Sequence, residues 1–343
     1  MAEESWDMKV QKVKEYRKLK RDSKKEVFKL FTVILLIALI IQYNTAFADE
    51  KENVVLQLRW DNQFQFAGYY ASKWLGYYDD EGLDVEIRSA FTDTDNILYA
   101  TKEVSKGRAD FGIGSVDILT AQNNGADLSV IASLFQRSPV EYYMKSDTPH
   151  NSIVDFTILN TARRKNDLLD IELQAMLLSE GINPFNSNLI DDTEEFSVED
   201  LITGKFDVIP GYLGTISYYA EKKGVGIKTV KPIDYGIDFY GDTLFTRRSL
   251  ARRNPELVEK FRRASLKGWE YAMEHPEEIA EKIAREFEIE GKSEAELIEF
   301  NKFQAEKVLG LTLYPVVEIG NINPSGILPA CFANYGTLIK SVL

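Results

Sequence analysis

Four side chains that suit the recognition of a flat polar ring stand close together near residue 60. They are Trp60, Gln63, Gln65 and Tyr69. An indole offers a large face on which another ring can stack, and each glutamine amide offers both donors and an acceptor. This set favours a binding site for a heterocyclic ring. The alternative is structural, because the neighbouring Phe64, Phe66 and Tyr70 also predict a packed core in which the glutamines only tie the loop.

A second candidate lies in the segment GIGSVD at residues 112–117. Gly114 allows a close approach of the backbone, and Ser115 can cap the helix that follows. The N–H groups at the start of that helix can then bind an acceptor or an anion, with Asp117 beside them. A glycine followed by a capping serine is also ordinary strand-to-helix chemistry, so both interpretations stay open here.

The remaining candidates come from three further segments. Asp238 and Asp242 supply carboxylates that can accept from an exocyclic amine, and Tyr240 between them can stack opposite Trp60. The alternative for that segment is a hinge packed by aromatic side chains. The other candidates for ligand contact are Gln136, Arg137 and Tyr212.

Several kinds of chemistry find no support. The single cysteine, Cys331, excludes an internal disulfide and a cysteine-rich metal site, and two histidines argue against a multi-histidine metal centre. The chain shows no nucleophile–base pairing, P-loop or metal-ligand spacing. We therefore predict no catalytic residue, no metal and no cofactor. The run Arg163-Arg164-Lys165 suits a phosphate, but we favour a solvated turn.

The elements that must position these residues alternate between strand and helix, which predicts α/β lobes with parallel sheets and right-handed crossovers. Strands are expected at 53–59, 83–88, 109–113, 128–135, 156–159, 189–191 and 206–209, and the longer helices at 168–180, 255–274, 276–287 and 293–309. We expect a discontinuous first lobe, 49–138 plus 240–343, and an inserted second lobe, 139–239. Two crossing strands form the hinge, and ligands of such folds bind in the interlobe cleft.

The first 48 residues differ in charge from the rest. They carry 10 Lys and Arg against 6 Asp and Glu, whereas residues 49–343 carry 31 against 48. A body this acidic argues against nucleic acid as a partner.

The order of segments in 1–48 predicts a signal peptide. A basic stretch precedes an apolar run, Leu30 to Ile41, and small residues stand at Ala46 and Ala48. Such a run spans roughly 18 Å as a helix, against a hydrocarbon core of ~30 Å. We favour cleavage, with an uncleaved N-terminal membrane anchor, a single transmembrane helix, as the alternative. Both place the body outside the cytoplasm.

Four stretches resemble a known family. They are LQLRWDNQFQFAGYY at 56–70, GYYDDEGLDVEI at 76–87, GRADFGIGSVD at 107–117 and YGIDFYGDTLF at 235–245. Together they resemble the thiamine-pyrimidine (hydroxymethylpyrimidine) binding and synthase family, which is related to the sulfonate-binding periplasmic proteins. The segment QFQFAGYY is typical of the version fused to bacterial sensor proteins. The resemblance implies a type-2 periplasmic-binding-protein fold and a pyrimidine precursor of thiamine as ligand.

The same family includes a thiamine-pyrimidine synthase, which uses a lysine and a histidine in the loop after the third strand and a cysteine-rich run. The matching positions here are Gly114 and Ile118, and residues 238–242 contain no cysteine. Without these groups no Schiff base forms and no imidazole is donated. The departures therefore argue against enzymatic activity.

The resemblance leaves three functions, in order of preference. The first is a periplasmic or otherwise extracytoplasmic solute-binding protein that delivers the pyrimidine to the permease of an ABC transporter for thiamine biosynthesis. The second is a ligand-sensing module that acts through a membrane sensor partner. The third is a synthase-like enzyme.

Overall fold

The computed structural model describes residues 51–91, 97–150, 152–165, 167–191, 195–289 and 291–312, with residues 11, 14, 15, 18, 29, 31 and 32 of the N-terminal segment. The chain divides into two compact units, 1–51 and 52–343. In the first unit the described N-terminal positions are helical and exposed. Nearly all of the predicted signal peptide, and Cys331, lie outside the described residues. None of the helices formed by the described residues has the length and apolarity needed to span a bilayer.

The second unit contains a five-stranded sheet, which defines the part that we call lobe 1. Its order is β2-β1-β3-β10-β4. The strands are β1 (Glu52–Gln57), β2 (Leu83–Arg88), β3 (Phe111–Gly114), β4 (Leu128–Ser133) and β10 (Thr243–Arg247). The helices of lobe 1 are α1 (Ala67–Trp74), α2 (Tyr77–Asp80), α3 (Ala100–Ser105), α4 (Asp117–Asn123), α8 (Arg248–Arg253), α9 (Pro255–Glu274), α10 (Pro276–Glu286) and α11 (Glu294–Thr312).

The direction of β10 corrects the expectation of a purely parallel sheet. β1 pairs in parallel with β2 and β3, but β10 runs antiparallel to β3 and β4. Thr243, at the start of β10, lies opposite Gly114 and Ser133 near the carboxyl ends of its neighbours. Because the chain returns to lobe 1 at that edge, it can only enter the sheet in the opposite direction.

Two smaller sheets define lobe 2. One has the order β8-β5-β9 and is antiparallel, and the other pairs β6 with β7 in parallel. The strands are β5 (Val140–Lys145), β6 (Thr161–Arg163), β7 (Leu189–Asp191), β8 (Ile209–Tyr212) and β9 (Ile227–Val230), and the helices are α5 (Leu168–Ser179), α6 (Val198–Ile202) and α7 (Thr215–Lys222).

The strand expected at 156–159 is wrong. That stretch belongs mostly to a 3₁₀ helix, Ile153–Thr157, which starts at a capping box formed by Ser152 and Asp155. The two reciprocal side-chain bonds of a capping box satisfy backbone donors that only a helical start leaves open. The strand forms slightly later, as β6.

Each lobe has its own apolar core. In lobe 1, Val54 and Leu56 of β1 pack with Phe64, Phe66 and residues of α9 that include Trp269. In lobe 2, Tyr142 and Phe156 pack against the apolar side of α5. Each lobe is therefore held together mainly by its own buried apolar side chains.

Candidate functional site

A cavity of about 90 Å³, here named the inner cavity, lies between the lobes. Lobe 1 contributes the residues that directly follow β1, where the parallel strands end. Lobe 2 contributes the start of α5, the residues before α6 and the end of β8. The lining consists of Arg59, Trp60, Gln63, Gln65, Arg164, Asp167, Leu168, Leu169, Glu195, Phe196, Pro210, Gly211, Tyr212, Thr215 and Ile216.

A hydrogen-bonded network runs along one side of the inner cavity and is centred on buried Asp242. Gln63 Nε2 donates to Gln65 Oε1 over 2.7 Å, and Gln65 Nε2 donates to Asp242 Oδ2 over 2.8 Å. Tyr212 Oη donates to Asp242 Oδ1 over 2.7 Å. The two segments that cross between the lobes are here named the outgoing crossover, between β4 and β5, and the return crossover, between β9 and β10. The network therefore connects the loop after β1, the return crossover and lobe 2.

Arg59 supplies the nearby positive charge. Its Nη1 lies 3.6 Å from Asp242 Oδ1, and its Cζ lies 5.4 Å from the centre of the Tyr212 ring. Burial lowers the pKa of Arg59, but Asp117, Tyr212 and Asp242 raise it by more, so Arg59 stays cationic. Burial also raises the pKa of Asp242, while Arg59 and the bonds from Tyr212 and Gln65 oppose that rise.

Aromatic rings flank the other side of the inner cavity. Trp60 is half-buried and packs edge-on against Phe91, with ring centres 5.0 Å apart. The guanidinium of Arg164 lies 5.5 Å from the centre of the Trp60 ring and 5.4 Å from that of Phe196. Arg164 is only 5% exposed. The expectation of a solvated turn is therefore wrong for Arg164, because two rings and a carboxylate enclose it.

A larger cavity of about 530 Å³, the outer cavity, shares part of this wall. Arg59, Trp60, Arg164, Asp167 and Leu168 line both cavities. The outer cavity adds Asp117, whose side chain accepts from the backbone N–H of Ser115 over 2.6 Å. Burial raises the pKa of Asp117, and Arg59 opposes the rise.

Eight predicted residues line neither the inner nor the outer cavity: Tyr69, Gly114, Ser115, Gln136, Arg137, Asp238, Tyr240 and Asp242. Tyr69 is buried in the lobe 1 core, with its ring centre 5.6 Å from that of Trp269. Ser115 Oγ donates to the carbonyl of Tyr240 over 2.7 Å, and Gln136 Nε2 donates to the carbonyl of Ser133 over 2.9 Å. These contacts tie the end of the sheet to the crossovers.

Packing within lobe 1 explains why a glycine occupies position 114. A Cβ there would lie 2.8 Å from the side chain of Ile118 and 3.1 Å from that of Phe245. Since real Cβ atoms do not approach that closely, glycine at this position is explained by contact within lobe 1.

Arg137 and Asp238 line a third cavity of about 250 Å³, the hinge cavity. Arg137 Nε lies 3.7 Å from Asp238 Oδ2, so the outgoing and returning crossovers form an ion pair. Glu172, which also lines this cavity, accepts from Ser138 Oγ over 2.6 Å. Burial raises the pKa of Glu172 to about 8, against the opposing effects of Ser138 and Arg59.

Sequence reasoning missed Arg59, Asp167, Glu195 and Phe196 as lining residues. Two of them had a local signal. Arg59 is the last residue of the expected first strand and lies two residues after the end of β1. Asp167 is the N-cap of α5, where it accepts from Leu169 N over 3.2 Å. Glu195 and Phe196 precede a short helix and had no signal of their own.

The two-lobed architecture defines the class of protein. The structure matches that of the periplasmic aliphatic sulphonate binding protein SsuA from Escherichia coli with a TM-score of 0.58 and 14% sequence identity, covering 84% of this chain and 86% of that one. The chain therefore has the type-2 periplasmic-binding-protein fold, and the predicted fold class is confirmed.

Comparison of the sequence with known proteins identifies the family. Residues 63–279 match the family model described as NMT1/THI5 like, and the chain belongs to that family. It is 26% identical over 258 residues to the formylaminopyrimidine-binding protein of Halalkalibacterium halodurans, which covers 73% of this chain and 76% of that protein. It is 27% identical over 232 residues to the riboflavin-binding protein RibY of Chloroflexus aurantiacus, which covers 66% of this chain and 64% of RibY. The predicted family resemblance is confirmed.

Proposed function

We propose that this protein is an extracytoplasmic solute-binding protein for a thiamine pyrimidine precursor and that it delivers the ligand to an ABC importer. The observation that carries the proposal is the inner cavity, which places aromatic faces beside an oriented chain of amides. The relative named as a formylaminopyrimidine-binding protein supports a ligand of this chemistry. The predicted signal peptide supports the location.

The orientation of the amides follows from Asp242. A carboxylate only accepts, so Gln65 must direct its NH₂ group toward Asp242 and its oxygen toward Gln63. Gln63 must then direct its own NH₂ group toward Gln65. Its oxygen and its second amide hydrogen remain for a ligand. An acceptor beside a donor is the complement of the amine and adjacent ring nitrogen of an aminopyrimidine.

The ring faces supply the second part of recognition. Trp60 lines both the inner and the outer cavity, so its ring can contact a heterocycle that lies in the cleft. Stacked aromatic pairs contribute about 0.5–1.5 kcal/mol beyond the burial of their area. Leu168, Leu169 and Ile216 add apolar surface around the same space.

A larger flat heterocycle such as riboflavin is the second candidate ligand. The outer cavity of about 530 Å³ shares Trp60 with the inner cavity, and the similarity to RibY agrees with a longer molecule. An aminopyrimidine alone matches the single amide edge of the inner cavity better, so we rank it first.

We also propose that the protein is not an enzyme. Gly114 and Ile118, which stand where the synthase of the family has lysine and histidine, are buried and in contact with each other. Neither residue can form a Schiff base or donate an imidazole. Signalling through a membrane sensor stays the alternative to transport.

Calorimetry of the purified protein tests the ligand. We expect micromolar or tighter binding of hydroxymethylpyrimidine or its formylamino precursor, and no heat with an alkanesulfonate. Binding of riboflavin alone would select the second candidate. Binding of the sulfonate without either heterocycle would contradict the proposal and place this protein with sulfonate binders.

A further inference from the structure

Arg164 brings a planar cation to the two aromatic rings of the inner cavity. Its guanidinium is within 5.5 Å of the centre of Trp60, from lobe 1, and within 5.4 Å of that of Phe196, from lobe 2. At 5% exposure the cation is removed from bulk water. Arg164 also lines both the inner and the outer cavity, so a ring bound beside Trp60 lies next to it.

The position of this guanidinium is fixed by its surroundings. Arg164 Nη1 lies 3.7 Å from Asp167 Oδ2, while Oδ1 of the same carboxylate caps helix α5 by accepting from Leu169 N. Asp167 is thereby held in place, and it holds Arg164 against the rings. A group held in this way can discriminate between ligands, because it does not move aside without losing its own contacts.

A fixed guanidinium acts differently on neutral and cationic rings. It stacks readily on aromatic rings because it is planar and weakly hydrated. The negative face of a neutral aromatic ring attracts such a cation. A ring that itself carries a positive charge is repelled, and burial strengthens the repulsion because the local dielectric constant is low. Arg59, over the ring of Tyr212, adds a second cation to the same cavity.

We propose that Arg164 is a specificity-determining residue that selects uncharged flat rings and rejects cationic ones. The assignment rests on the proposed ring-binding function of the inner cavity. Asp167 and Glu195 line the same cavity and reduce the repulsion, but Asp167 is committed to Arg164 and to the helix cap. The guanidinium is the charged group that contacts aromatic rings from both lobes, so it has the strongest effect on a ring between them.

The experiment compares two ligands that differ by one methyl group and one charge. Hydroxymethylpyrimidine is measured by calorimetry against the full chain above the pKa of its ring nitrogen. Its pyrimidinium cation, methylated on the ring nitrogen that is not adjacent to the amine, is measured in the same way, so that the acceptor proposed to face Gln63 is kept. A neutral analogue with one extra methylene corrects for size. Wild-type protein should bind the neutral ring at least about tenfold more tightly than the cation, within the range of cation–π energies.

Variants assign this preference to the guanidinium. Arg164→Gln should reduce the preference to less than about threefold, and Arg164→Lys should keep part of it. Arg252→Gln is the matched control, because Arg252 is an exposed arginine of α8 that lines none of the three cavities. It should keep the wild-type ratio. Thermal melts accompany each variant, since removal of Arg164 leaves Asp167 without its ion pair.

Three outcomes would overturn the assignment. Equal binding of the two rings by wild-type protein would refute it without any variant, and so would an unchanged ratio in a folded Arg164→Gln protein. Both would leave the proposed ligand intact. If neither ring binds, both the proposed ligand and the role of Arg164 are refuted.

Discussion

At the scale of single residues, the candidate site is built around a buried carboxylate that receives its hydrogen bonds from the protein itself. Asp242 accepts from Gln65 and Tyr212 and faces Arg59, so a buried carboxylate is satisfied without a ligand. Buried polar networks are rigid when every member has a partner. This network holds Gln63 in the orientation that we propose for contact with the edge of the ring, and Trp60 is the residue that we propose for contact with its face.

Trp60→Ala tests directly whether the ligand ring stacks on the indole of Trp60. Loss of stacking and of buried apolar area together should cost roughly 2–4.5 kcal/mol of binding free energy, a loss of roughly 30- to 2000-fold in affinity for the pyrimidine. Trp60 is half-buried, so the variant should lose less stability than the roughly 3–5 kcal/mol of a core Trp→Ala change. Calorimetry and a thermal melt on the same sample check both parts.

Trp60→Phe is the control for this change, because it keeps an aromatic face and should retain most of the affinity. A Trp60→Ala protein that melts normally and binds like wild type would contradict the stacking role. So would one that has lost most of its stability.

At the scale of elements, lobe 1 depends on the close packing of α1 against α9. A Cβ at Gly268 would lie 2.2 Å from the carbonyl oxygen of Gly68 and 2.0 Å from Ser72 Oγ. A Cβ at Gly68 would lie 2.1 Å from Cγ of Trp269. Glycine lets the two helices approach and lets Trp269 fill the space between them, beneath the loop that carries Trp60 and Gln63.

Gly268→Ala should therefore destabilise the protein by about 3 kcal/mol, at the upper end of the cost of overpacking, because backbone atoms obstruct the new methyl group. Gly310→Ala in α11 is the control, since no described residue outside its own stretch of helix lies within 4 Å of its Cβ position. It should be neutral or stabilising by up to about 1 kcal/mol. Urea unfolding measures both. Equal midpoints for the two variants would show that α1 and α9 are not closely packed.

The sequence predicts the elements better than their arrangement. Helix α9 begins at Pro255 and ends at Glu274 as expected, because a proline start and an apolar period are local signals. The antiparallel direction of β10 and the strand β5 were not foreseen, since alternation of side chains carries no information about direction or partner. Burial of Arg164 was hidden for a similar reason, because Trp60 and Phe196 are distant from it in sequence.

At the scale of the whole molecule, each lobe places an arginine against an aromatic ring of the other lobe. Arg59 of lobe 1 lies over Tyr212 of lobe 2, and Arg164 of lobe 2 lies beside Trp60 of lobe 1. Each arginine is also near a carboxylate, Asp242 or Asp167. The side chains that line the proposed ligand site therefore also form the contact between the lobes, so a ligand that moves them must also change that contact.

The hinge carries a carboxyl group whose protonation should affect the whole fold. Glu172 of α5 accepts from Ser138 Oγ, and Ser138 N donates to the carbonyl of Phe239, so one carboxyl is connected to both crossovers. Burial raises its pKa to about 8 from the ordinary 4.5, with Arg59 opposing and Asp238 and Asp167 adding to the rise. The folded protein thus keeps a proton that the unfolded chain releases over that interval.

The sign of the pH effect follows from this difference. Between about pH 4.5 and 8 the unfolded chain binds fewer protons at Glu172, so the free energy of unfolding should fall as pH rises, by about 1.4 kcal/mol per pH unit from this group. Glu172→Gln keeps an acceptor for Ser138 and carries no titrating proton. Its free energy of unfolding should therefore rise relative to that of wild type as pH increases across the interval. Urea unfolding at several pH values measures this difference, with exposed Glu180→Gln at the end of the same helix as control. Parallel stability curves for wild type and Glu172→Gln would contradict the assignment of a buried, protonated carboxyl at the hinge.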